Sequence, residues 1–284
     1  GRMSGWLLAS SLVILVLTSV VAPRRREDMP AAIALALWLS YAQFAISAAL
    51  PSVWFGVAAM VMFAGVRCWH RRPSIRRLPT MPRDGVVVAF VIAALLTLAL
   101  SLPIVARPHV SYDVLSYHLP LADRAATWDW SAAEVGNYYA RLPHGGVALE
   151  APFVDRRTSP PNDSGVRFLT WVVFAACVFA TGNVARALGA NARGAAVAMV
   201  LVAWHPLAWK TLLNGYTDGL VALYALAAVC FWRRGAHEPS SGNGFPLGLV
   251  AGSAAMVKFS ATGVVVAPLM VAVIGEAFWR FAAR

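Results

Sequence analysis

Charge is scarce in this chain. Charged residues make up only 13% of its 284 residues, while 59% are hydrophobic and mean hydropathy is +0.64. That is about half the usual charged share. A water-soluble fold could not cover its surface with so few charges, so the excess apolar residues must face lipid. Lysine is almost missing: Lys210 and Lys258 are the only two. Cysteine is equally sparse. Cys68, Cys177 and Cys230 lie far apart in or beside apolar runs, with no C-x-x-C pair. That spacing matches no zinc module, and the three read as small core or lipid-facing residues. No Walker, G-x-G-x-x-G, H-E-x-x-H or G-x-S-x-G motif occurs, which removes the commonest nucleotide, zinc-protease and serine-hydrolase readings.

What the chain does have is arginine and long apolar runs. Lys plus Arg number 24 against 13 acidic residues, giving a net charge of +11. In a soluble domain that excess would point to nucleic acid. In a membrane protein it is the ordinary signature of cytoplasmic loops beside an anionic leaflet, so no nucleic-acid partner is expected. Apolar runs at 5–22, 31–50, 52–69, 85–106, 166–186, 195–213, 217–232, 245–258 and 260–280 read as about nine spans. Most approach the ~20 residues needed to cross the hydrocarbon core. The first run lacks an A-x-A cleavage site and is followed by Arg24, Arg25 and Arg26, so it reads as a span rather than a signal peptide. The fold expected is an all-α, polytopic transmembrane helix bundle forming one module over 1–284.

Arginines set the orientation. Segments 23–30, 70–84, 187–194 and 233–244 carry most of the loop arginines, and they alternate with arginine-poor connections at 50–51, 214–216 and 259. The positive-inside rule puts the first set in the cytoplasm. The outer side then holds a long loop, 107–165, with seven of the 13 acidic residues and His109, His118 and His144. Tyr112, Tyr117, Trp128, Trp130, Tyr138 and Tyr139 suit a membrane–water boundary. Residues 112–130 read as one or two short interfacial helices broken at Pro120.

Asp113, Asp218 and Lys258 all fall at the outer side of this topology, flanked by apolar sequence. Ionisable groups there are functional candidates, because their desolvation is costly. Two carboxylates and a cation at one face can serve acid/base or metal chemistry beside an anionic group. Structural alternatives exist for each. Asp113 and Asp218 can cap the helices that follow them. Lys258 can snorkel from a helix end, and His118 can fill the interface. In a regular helix Asp113, Ser116, Tyr117 and Arg124 share one face, a surface suited to hydroxyl and phosphate groups. His205, with Trp204, precedes Pro206 inside a span and reads as packing at a kink.

Ser111-Tyr112-Asp113-Val114-Leu115-Ser116-Tyr117-His118-Leu119-Pro120 resembles the first outer-loop motif of the GT-C glycosyltransferases, multi-span enzymes related to the protein mannosyltransferases. Three further stretches are similar, in the same order. Arg186-Ala187-Leu188-Gly189 resembles the cytoplasmic end of a long helix. Gly215-Tyr216-Thr217-Asp218 resembles a second outer loop. Gly248 to Gly252, running into Lys258-Phe259-Ser260-Ala261-Thr262-Gly263, resembles a helix and a Lys-Tyr-Thr-Gly turn. The resemblance covers roughly 85–275. It implies a polyprenyl-phosphate-linked sugar donor, an acceptor met at the outer face of the bacterial inner membrane, and Asp113 as catalytic carboxylate. Tyr117, His118, Arg124, Asp218 and Lys258 would bind substrate or phosphate, and a divalent cation would sit on Asp113 or Asp218 if one is used.

The sequence departs from the family in three places. Val147 stands where members often carry Glu after the loop's Pro-x-Gly, and Glu150 comes three residues later. Phe259 follows Lys258 in place of Tyr. Members also run on for several more spans, so the resemblance implies an N-terminal fragment ending at Arg284. Two rival readings are a transporter or flippase of lipid-linked sugars and a non-catalytic envelope scaffold. A transporter calls for ionisable groups at the midplane and often for inverted repeats. Here the charges gather at one face, and no internal repeat is found.

Overall fold

The computed structural model describes residues 84–105, 107, 119–125, 145–154, 163–213, 217–237 and 244–282. The expected spans at 5–22, 31–50 and 52–69 lie outside these residues. The described residues are helical, with turns and no strand among them. Three described helical stretches are long and apolar enough to cross a membrane: Gly85–Pro103, Ser164–Ala187 and Thr262–Ala282. The chain is therefore a membrane-associated helical protein.

Helix α1 runs Gly85–Val105. Asp84 opens it, its Oδ1 accepting the Val86 amide at 3.0 Å. Two short elements follow in the long loop, α2 over Leu119–Ala125 and α3 over Gly145–Glu150, and α3 passes into a 3-10 turn at Ala151–Phe153. Of the expected interfacial helices over 112–130, only Leu119–Ala125 is described, and Pro120 stands at its start rather than inside it. The proline lies in the first turn of α2, where a missing N–H costs nothing and a fixed φ helps.

Helix α4, Ser164–Ala187, is the central post of the described bundle. It buries one face along its whole length, from Gly165 and Val166 through Phe174 and Cys177 to Gly182. It ends where the sequence places a helix end. Gly189 adopts φ 98°, which L side chains rarely take, and the Ala190 and Gly189 amides turn back to the Ala185 and Arg186 carbonyls. Asn191 then caps α5, Ala192–Trp204, accepting the Gly194 amide at 2.9 Å. Ala195, Ala196 and Ala203 are buried on α5, so small side chains let the helix lie close to its neighbours.

The expected span 195–213 is two helices. His205 is extended, as the residue before a proline prefers, and α6 starts at Pro206 and runs to Leu213. The Trp209 indole donates to the Ala203 carbonyl across the break. Helix α7, Asp218–His237, packs against both α4 and α8, Gly244–Val257. A π-helical turn at Thr262–Val266 leads into α9, Ala267–Ala282, which buries almost nothing. Its one described tie at the far end is the Trp232 indole donating to Glu276 at 2.9 Å.

Candidate functional site

The two ends of α7 differ. Near His237, the Arg233 Nε donates to the Ala187 carbonyl at 3.3 Å, and Arg193 meets Asp84 at 2.7 Å. Arg186, Arg193 and Arg233 thus gather at one end of the bundle. At the other end of α7 stands Asp218. Along a regular helix it is about 28 Å from His237, close to a hydrocarbon thickness. The Cys177 thiol donates to the Gly219 carbonyl at 3.7 Å, so α7 begins beside the middle of α4. The first half of α4, about 20 Å of helix, therefore rises past the start of α7 as a wall.

Asp218 lies in the first turn of its helix, where a carboxylate suits the dipole. Lys258 Nζ donates to Asp218 Oδ1 at 2.7 Å, across 40 residues of sequence. Both side chains are 40% exposed, so neither is sealed from a ligand. Lys258 is held at the end of α8, its amide bonded to the Ala254 carbonyl, and the chain then turns through Phe259, Ser260 and Ala261. The π-helical turn that follows is a feature often found at functional sites.

Helix α3 packs against the residues that precede this pair. All six of its residues are buried, and it packs on α8 and α2, while the turn after it packs on α4. Two glycines make the approach possible. A Cβ on Gly145 would lie 2.7 Å from the Met256 carbonyl carbon and meet its oxygen, and one on Gly146 would lie 2.5 Å from Thr217 Cγ2. Any side chain at either position would push α3 off the bundle.

The same layer holds buried polar atoms that lack partners. Glu150 is 1% exposed, and its Oε2 has no hydrogen bond. Desolvation pushes its carboxyl up to about 8, so it is largely protonated at neutral pH. Arg167, in the first turn of α4, binds Asp163 at 2.9 Å through Nη2, while its buried Nε and Nη1 have no partner. These three are the only buried unpaired side-chain atoms among the described residues.

Of the residues singled out in the sequence, Asp218 and Lys258 are brought into contact. Arg124 is half-buried in the last turn of α2, the helix packed against α3. Asp113, Tyr117 and His118 lie outside the described residues, and so does most of the shared face drawn through Asp113 and Arg124. Among the described residues no three His, Cys, Asp or Glu side chains gather as metal ligands do. Glu150 and Arg167 were not singled out as site residues. The signal that could have flagged Glu150 was an acid at the end of an unbroken apolar stretch, Val147-Ala148-Leu149. Arg167, four residues after Asp163, carried the spacing of an ordinary helical ion pair. Comparison with known families, with characterised proteins and with solved structures finds no match for this chain.

Proposed function

We propose that the chain transfers a glycosyl group from a polyprenyl-phosphate-linked sugar to an acceptor at the periplasmic face of a bacterial inner membrane. The observation that supports this reading is the half-exposed Lys258–Asp218 pair, formed across 40 residues of sequence. Asp113 takes the proton of an acceptor hydroxyl as its oxygen attacks the anomeric carbon. The bond from that carbon to the phosphate oxygen breaks, and the lipid phosphate leaves with a growing negative charge. Lys258 stabilises this charge, and Asp218 holds the ammonium in place. Tyr117, His118 and Arg124 line the approach of sugar and phosphate.

The test is Asp113→Asn in membranes supplied with a polyprenyl phosphate sugar. Asn caps a helix about as well as Asp, so the variant accumulates like the parent. Loss of a general base lowers transfer by at least ~100-fold. Normal accumulation with normal transfer would return Asp113 to a capping role and favour the scaffold reading.

A further inference from the structure

We infer that Gly145 and Gly146 are positioning residues for the Asp218–Lys258 pair, and that α3 acts as the clamp that sets its geometry. Gly145 presses on the backbone at Met256 and Val257, directly before Lys258. Gly146 presses on Thr217, directly before Asp218, and also faces Val257 Cγ1. One short helix thus touches the residue preceding each member of an ion pair whose partners come from two different helices. Close backbone contact transmits displacement with little slack, because packed interiors do not deform smoothly. Two glycines flanking Lys258 differ. Gly252 on α8 and Gly263 in the π-helical turn have nothing within 4 Å of an added Cβ. The inference deepens the transfer reading and takes its chemistry from it, but the clamp is tested without any sugar.

Lys210 and Lys258 are the only lysines, so acylation of each is resolved by peptide mass spectrometry, with Lys210 as internal reference. The full chain in nanodiscs is treated with a small amine-acylating reagent. Asp218→Asn sets the rate for a broken pair, expected at about 2- to 5-fold the parent Lys258/Lys210 ratio for an ion pair this exposed. Gly145→Ala and Gly146→Ala should approach that ratio, and Gly252→Ala should stay at the parent value. Joining Gly146→Ala to Thr217→Gly removes the clashing atoms and should bring the ratio back to the parent's. That pair also carries the test if Gly145→Ala does not accumulate. Folded Gly145→Ala and Gly146→Ala chains that label at the parent ratio overturn the clamp, as does a rise in Gly252→Ala of the same size. If the ratios move as expected while no variant or parent transfers sugar, the clamp stands and the transfer reading falls.

Discussion

The two ends of α7 solve the same problem in opposite ways. At the His237 end, polar groups are closed by exposed pairs and caps. Asp84 meets both Arg193 and the Val86 amide, Asn191 caps α5, and Gly189 lets the last α4 carbonyls find amides. The Arg193 hydrogen bond holds the Asp84 carboxyl below its ordinary range. At the Asp218 end, a half-exposed ion pair lies next to residues that a fully buried helix packs against, and Glu150 and Arg167 keep buried atoms without partners. Unpaired buried polar atoms are costly, and native folds keep few of them. Among the described residues, the His237 end thus pairs its polar groups, while the Asp218 end keeps buried polar atoms without partners. The proposed site lies at the Asp218 end, and the difference between the ends is what the following experiments probe.

The largest expected effect comes from removing the cation at the open end. Lys258→Gln should lower transfer by on the order of 100-fold, the scale seen when one preorganised charge-stabilising group is lost. Arg193→Gln removes a cation at the closed end and should leave transfer unchanged. Both are measured with the same lipid-linked donor in membranes of equal protein content. Equal losses would erase the contrast between the ends, and a loss confined to Arg193→Gln would reverse it.

Much of this contrast was legible in the sequence. The stretch Arg186 to Gly189 resembles the end of a long helix, and the structure ends α4 there. The candidates Asp218 and Lys258 were each picked out as charges amid apolar sequence, and they meet. The break at His205-Pro206 was visible as a proline, though the sequence could not say that two separate helices result. Pro120 marks a helix boundary in the sequence, and the described helix α2 starts there, because a proline fits the first turn of a helix. The role of α3 was hidden for a different reason. Its glycines matter through contacts more than 70 residues away, with Thr217 and Met256, and no local pattern encodes such a partner. Glu150 was noticed only as a shifted acid, since burial is a property of what packs around it.

A second, smaller effect tests whether that buried acid is held neutral. The Glu150 carboxyl is pushed from its ordinary 4.5 to about 8 by desolvation. Between those values the folded chain keeps a proton that the unfolded chain has released. Stability therefore falls as pH rises from about 4.5 to about 8 and levels off above, by up to about 1.4 kcal/mol per unit. Glu150→Gln keeps the shape and has no proton to lose, so its thermal midpoint should vary less with pH across that window. Scans of intrinsic tryptophan fluorescence in detergent at pH 5, 6.5 and 8 measure the difference. Parallel curves for parent and variant would mean that Glu150 is solvated or paired in solution, and the open end would lose one of its defining features.

The smallest effect belongs to the closed end, and it asks whether closure there is as plain as it looks. Asn191 is extended, and its side chain accepts the Gly194 amide, satisfying one of the donors that a helix start leaves unpaired. Asn191→Ala leaves that amide to water and should cost about 1 kcal/mol, the usual worth of such a cap. Asn191→Asp should cost nearly nothing, because Asp caps as well as Asn and its charge suits the helix dipole. Neither change should alter the Lys258/Lys210 labelling ratio, since α5 starts at the opposite end of the bundle from the ion pair. The thermal midpoint and the labelling ratio thus separate two kinds of residue. At Asn191 the first should move and the second should not, whereas Gly146→Ala should move the labelling ratio. A shift in labelling from Asn191→Ala would show that the two ends are mechanically coupled, and a site confined to the Asp218 end would no longer describe the molecule.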